Sequence, residues 1–246
     1  MILERIINSI EVIMNYYGTG KYIEEMKRLD EQVFSKIRFD EPEREKELES
    51  GYLVRYYYYA DEENREPGHA PVDGEICRLF KDDRMVFEWK NTDGNSRMAC
   101  IIHHADGNTY FVFDEDLYGY SVLNLDSLQC MHYIPSESYG KYPEEFEETF
   151  IWCDCFYNPE NSLLAVDGCF WACPWDVIVL DFKDPMTAVE PKDWFSIYGR
   201  CRKGLPDLDD VEFDSWDGDT LVCKAIGAVP AAFDLEGKCK VRFIYS

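Results

Sequence analysis

From Gly51 onward the chain is a succession of short apolar and aromatic runs, and tight-turn signals separate them at close intervals. The signals are Lys81-Asp82-Asp83, Asp93-Gly94-Asn95, Asp106-Gly107-Asn108, Asn158-Pro159-Glu160-Asn161, Asp217-Gly218-Asp219 and Glu236-Gly237-Lys238. Gly, Asn and Asp tolerate the left-handed backbone that short hairpins need, so each signal predicts a reversal between antiparallel strands. Strands are expected at Glu75–Phe80, Met85–Lys90, Met98–His103, Thr109–Asp114, Ser121–Leu125 and Gln129–Ile134. Later ones are expected at Thr149–Tyr157, Leu163–Val166, Val177–Phe182, Val211–Ser215, Thr220–Ala225 and Lys240–Tyr245. About a dozen short strands in this rhythm make a sandwich, a barrel or propeller blades. Composition agrees, with 17 Tyr, 15 Phe and 6 Trp to pack pleated surfaces.

The first fifty residues follow a different period. Leu3, Ile6, Ile7, Ile10, Ile13, Met14 and Tyr17 recur at helical steps; Gly18-Thr19-Gly20 interrupts them, and Tyr22, Ile23, Met26, Leu29, Val33 and Ile37 resume. We expect an N-terminal helical pair over 1–50 and an antiparallel β domain over 51–246. The charged stretch Glu41–Glu49 reads as a solvated helix end or a linker. The stripe Ile6, Ile10, Ile13 and Tyr17 must be covered, by packing on the main domain, by a homodimer interface, or by both.

The expected fold is therefore mainly β, built of antiparallel meander units of propeller-blade or sandwich kind, with that helical pair in front. A repeat favours blades. From Met98 an apolar strand, an Asp-Gly-Asn turn, the aromatic strand Tyr110–Phe113 and the run Ser121-Val122-Leu123-Asn124-Leu125-Asp126 follow one another. From Thr149 the order recurs, through Leu163–Val166 to Val177-Ile178-Val179-Leu180-Asp181. Residues 98–187 in this respect resemble blades of WD-repeat β-propellers, although the Trp-Asp and Gly-His marks of those repeats are missing. The segment Pro159–Pro185, with Gly168-Cys169-Phe170-Trp171 ahead of Pro174-Trp175, is similar to one in uncharacterised bacterial proteins of this size. That resemblance implies a bacterial cytosolic protein and no particular activity.

Charge narrows the partners. The chain of 246 residues carries a formal net charge of −24, distributed along its whole length. Such a field repels phosphate backbones, which disfavours nucleic acid and anionic membranes and favours a basic protein or a cation. No run is apolar enough for a signal peptide or a membrane span, so a cytoplasmic location and reduced thiols are expected for the ten cysteines.

Candidate chemistry is sparse. Cys153, Cys155, Cys169 and Cys173 are dense but wrongly spaced for a zinc knuckle. A tight hairpin at Asn158–Asn161 would set Cys155 opposite Leu164, Cys153 opposite Val166 and Cys169 opposite Phe150, about 10 Å from Cys153. Plain core thiols are expected, without metal or cofactor. His69, His103, His104 and His132 show no spacing that ties one of them to a cysteine or serine nucleophile, and no catalytic residue is assigned. The acids of Asp207–Asp219 and of Asp114-Glu115-Asp116 read as solvated loops. The Trp171-Pro174-Trp175 loop is the best binding candidate, with Asp167 and Asp176 as an acidic rim around Trp171 and Trp175.

The function expected from these features is non-enzymatic: binding a basic partner through an acidic, aromatic-edged surface, as immunity proteins bind toxins. A sugar or peptide hydrolase with cleft carboxylates and a structural assembly protein are the alternatives.

Overall fold

The computed structural model describes residues 15–139, 149–171, 173–190, 194–201, 208–227 and 238–242. Their strands form four antiparallel sheets in chain order, each a meander. Sheet I holds β1 (Arg44–Glu47), β2 (Tyr52–Ala60), β3 (Asp73–Lys81) and β4 (Arg84–Asn91). Sheet II holds β5 (Ala99–His103), β6 (Thr109–Phe113), β7 (Tyr120–Asn124) and β8 (Cys130–Tyr133). Sheet III holds β9 (Phe150–Asn158), β10 (Leu163–Phe170), β11 (Trp175–Asp181) and β12 (Phe195–Ser196). Sheet IV is three-stranded, with β13 (Leu208–Asp217), β14 (Thr220–Gly227) and β15 (Lys238–Arg242). The three four-stranded meanders are blade-like units.

Successive sheets pack face to face, and strand parity shows how. On β6, Phe111 and Phe113 join Val54, Tyr56, Leu79 and Trp89 in the core between sheets I and II. Their neighbours Tyr110 and Val112 point the other way, to Trp152, Leu164 and Val166 between sheets II and III. On β10, Leu163 and Ala165 in turn meet Val211, Leu221 and Cys223 of sheet IV. Inner strands are thus covered on both faces, which is why they read as unbroken apolar runs.

The N-terminal region departs from expectation. Among the described residues it contains one long helix, α1 (Gly20–Gln32), instead of a pair. The first expected helix falls mostly on residues 1–14, outside the described residues. Thr19 caps α1, its Oγ1 accepting the Tyr22 N–H at 3.2 Å. The helix ends before the expected Ile37, and Val33, Phe34 and Ile37 continue as a short tighter turn that covers Tyr57 and Ile76 on the outer face of sheet I. Tyr17, expected on a helical stripe, instead stacks on the His132 ring at 4.2 Å. Asn15 and Tyr16 bond to the backbone of His132 and Ile134, which covers the edge strand β8.

The Glu41–Glu49 stretch is also corrected, since it supplies β1. Arg-Glu-Lys-Glu forms a strand because it is an edge strand, paired only with β2, and one of its faces stays in water. Likewise most of the acids of 207–219 lie on β13, which starts at Leu208, rather than in a loop.

Gly168 is the tightest point of sheet III. It lies at a break in the β9–β10 register, and a Cβ there would collide with the Ile151 carbonyl oxygen and the Phe150 ring. Gly168→Ala should therefore lower stability by about 1–3 kcal/mol, the usual cost of overpacking. Urea unfolding of the two proteins measures it, and an unchanged midpoint would contradict this packing.

Candidate functional site

The tryptophan cleft is built by the β10–β11 hairpin, whose turn closes with Cys173 N–H donating to Phe170 O at 2.9 Å. Cys169 pairs with Trp175 on one side and with Ile151 on the other. The expected β9–β10 register is wrong by two residues, since Cys155 faces Val166 and Leu164 faces Tyr157. The connection after Asn158 is longer than a tight hairpin: Asn158 Oδ1 accepts the Glu160 N–H, and Ser162 adopts a left-handed φ of 55°. A bulge follows. Asp167 pairs with Asp154 and Gly168 with Trp152, so Cys153 has no cross-strand partner of its own.

These two features bring Cys153, Cys169 and Cys173 to one cleft of about 610 Å³, whose other walls are Ile151, Trp171, Trp175 and Arg97. Trp171 is 52 % exposed at its edge. Burial pushes the Cys153 thiol up to about 12, against the lowering effect of Arg97, and raises Cys169 as well. Protonated thiols are poor nucleophiles and poor metal ligands. Among the described residues no group of three or more His, Cys, Asp or Glu is placed to hold a metal ion. Cys155 belongs elsewhere, in the core between sheets II and III.

The expected acidic rim is not where Asp167 and Asp176 were placed. Asp176 is 3 % exposed and accepts from Ser196 Oγ (2.5 Å), Tyr198 N–H (2.7 Å) and Val177 N–H (2.7 Å). It faces a separate cleft of about 320 Å³ beyond Pro174. Asp167 accepts the Phe213 N–H of β13 at 2.9 Å. Acids beside the tryptophans come instead from β13, where Asp210 accepts the Trp175 N–H at 2.6 Å and Asp209 is exposed. Sequence reasoning also missed Arg97. The signal was there: Arg97 is the sole Lys or Arg between Lys90 and Lys141.

The Asp114-Glu115-Asp116 segment is buried, not a solvated loop. Asp114 accepts Ser96 Oγ–H at 2.5 Å and Arg97 N–H at 2.7 Å. Asp116 accepts the Tyr118 N–H at 2.9 Å and the Tyr139 hydroxyl. Glu115 lies 2.7 Å from His132 Nδ1, and Ser121 Oγ lies 3.2 Å from that same nitrogen. A Ser-His-acid triad needs the base to reach the serine through one ring nitrogen and the acid through the other. Here both share Nδ1, so the cluster is a structural network and not an activated serine. Cys130, 3.9 Å from that nitrogen, is held as a thiol by burial, reinforced by Glu115.

No protein-family model matches the chain, and no curated protein matches its sequence. The geometry of the two clefts therefore carries the functional reading.

Burial holds Asp114, Asp116 and Asp167 at about 6, against an ordinary 3.8. Between these values the folded chain binds protons that the unfolded chain has released, so the contribution of these three acids to stability is full below about pH 4 and is lost as pH rises through 6. The melting temperature should climb as pH falls from about 7.5 to about 5. Asp114→Asn keeps an acceptor for Arg97 N–H and a donor for Ser96 Oγ, so it should flatten that climb. A melting temperature that falls over the same range, or an equally steep climb in the variant, would exclude the buried acids as its origin.

Proposed function

We propose that the protein is a non-enzymatic binding module of the bacterial cytosol that engages a basic protein partner through the Trp171–Trp175 surface, in the manner of an immunity protein. One observation carries the reading: Trp171 stands half-exposed over an apolar cleft instead of packing into the core between the sheets. Large rigid aromatics at the lip of an apolar cleft are the usual anchors of protein interfaces. The chain's charge of −24 and the acids of β13 supply a steering field. Arg97, the one cation among the described residues that line the cleft, is compensated by Asp93 at 3.1 Å. A succession of blade-like sheets, of the kind propellers use, gives such a surface a rigid support.

The two contributions separate kinetically. With a panel of small basic proteins, raising salt from ~50 to ~300 mM should slow association strongly and leave dissociation nearly unchanged. Trp171→Ala should do the reverse, raising the off-rate about thirtyfold, or roughly 2 kcal/mol. Its exposure means the variant should keep the wild-type melting temperature. Binding whose off-rate ignores Trp171→Ala would overturn the assignment of this surface, and so would a panel in which nothing binds.

A further inference from the structure

A second cavity, of about 300 Å³, lies between α1 and the turns at Thr92–Asp93 and Asp116–Leu117. It shares no lining residue with the tryptophan cleft. Met26, Leu29, Val72, Leu117 and Ile134 make its apolar surface. Tyr16, Tyr22 and Tyr139 make an aromatic corner: Tyr16 stacks on Tyr139 at 4.2 Å and 6°, and Tyr22 stands edge-on to Tyr16 at 89°. Three aspartates, Asp73, Asp93 and Asp116, open onto the same space, together with Glu25.

Among the described residues, the charges there are only partly balanced. The hydrogen-bond donors to Asp116 are the backbone N–H groups of Tyr118 and Gly119 and the hydroxyls of Thr92 and Tyr139, all neutral. Asp73 accepts from the Tyr58 hydroxyl at 2.9 Å. Among the described residues only Asp93 has a cation, Arg97, and the Arg28 guanidinium that lines the cavity is already held by Glu25 at 2.5 Å. The acids also feel one another. Burial comes first in raising each of the three; the charge of Asp73 then raises Asp93, and that of Asp93 raises Asp116.

From the aromatic corner, the carboxylates and the volume of this half-open cavity together, we infer that it binds a small organic cation of the alkylammonium or alkylguanidinium class. Tyrosine faces attract such cations through the ring quadrupole, while the acids accept their N–H groups. The apolar surface suits a short alkyl chain, and the volume holds about ten non-hydrogen atoms if each takes a water's share of space. A bare metal ion suits it poorly, because the donors do not converge as a ligand set. The same chemistry could arrive as a free metabolite or as an Arg or Lys side chain of another protein.

The test titrates the full chain with agmatine, with 1,4-diaminobutane and with a capped Gly-Arg-Gly peptide. Butylurea serves as the neutral analogue, and calorimetry is run at fixed ionic strength. At least one cation should bind with a dissociation constant of ~1 mM or tighter, and butylurea should not bind. Asp116→Asn and Tyr22→Leu should each weaken binding about tenfold or more, and Trp171→Ala should leave it unchanged. Asp73→Asn, at a half-exposed position, replaces Asp116→Asn if that variant does not fold. Binding of the small amines identifies a free cation as sufficient; binding of the peptide alone identifies a protein side chain. No heat from any of the three cations, equal binding of butylurea, or affinity indifferent to these substitutions would overturn the inference. None of these outcomes depends on the protein partner, so failure here and failure of the Trp171 surface are distinguishable.

Discussion

Carboxylates that reach from one sheet to groups of the next fasten this stack. Glu75 of β3 accepts the Ser96 N–H of the crossing to sheet II at 2.9 Å. Asp154 of β9 accepts from Cys100 Sγ of β5 at 3.0 Å. Asp167 of β10 accepts Phe213 N–H of β13, and Asp210 of β13 accepts Trp175 N–H of β11, so sheets III and IV are tied in both directions. Face-to-face packing supplies most of the attraction but no directionality. At the junctions of sheets I with II and III with IV, backbone N–H groups turn away from their own ladders and would otherwise be buried unpaired. A carboxylate answers this best, because it offers several lone pairs and makes the shorter, charge-assisted bond.

That solution has a cost that appears throughout the molecule. Every buried acid loses hydration, and the bonds to N–H groups only partly offset the loss, which is why Glu75, Asp114, Asp167 and Asp176 are all raised by burial. Part of the chain's acidity is therefore internal fastening and not a solvated coat. The remainder still gives a negative field that points outward.

Fold and site differ in how far the sequence displays them. The strands of sheets II and III are legible because both faces are covered, and at the β5–β6 turn Gly107 supplies the left-handed backbone, with φ 91°; the β7–β8 and β9–β10 turns place Leu128 and Ser162 in that region instead, which no turn signal announces. β1 is illegible, since an edge strand of Arg, Glu and Lys has the composition of a linker. The register of β9 on β10 is lost for a subtler reason: two extra loop residues move every pairing by two, and the bulge at Asp167/Gly168 brings the pairings beyond it back by one, without changing any residue's type. Asp167 and Asp176 look like rim acids because sequence gives their distance from Trp171 and Trp175 but not the face they point to. For Asp114-Glu115-Asp116 a signal existed, in the aromatic strand before it and Tyr118-Gly119-Tyr120 after it. A charged triplet enclosed by aromatics on both sides is more simply explained by burial than by a solvated loop.

Arg97 joins the two clefts. Its backbone N–H is held by Asp114, its guanidinium lies 3.1 Å from Asp93 of the tyrosine cavity, and its side chain lines the tryptophan cleft. While the Asp93 pair is intact, the positive charge beside Trp171 is compensated and the apolar lining dominates. Under the two proposals, a cation in the tyrosine cavity would compete for Asp93 and leave more of the Arg97 charge facing the tryptophans. A basic partner seated there would then meet a like charge, and occupation of one cleft would weaken occupation of the other. Linkage makes the effect reciprocal and equal in free energy. The sign is set by one residue, because without Arg97 the two clefts share no charge.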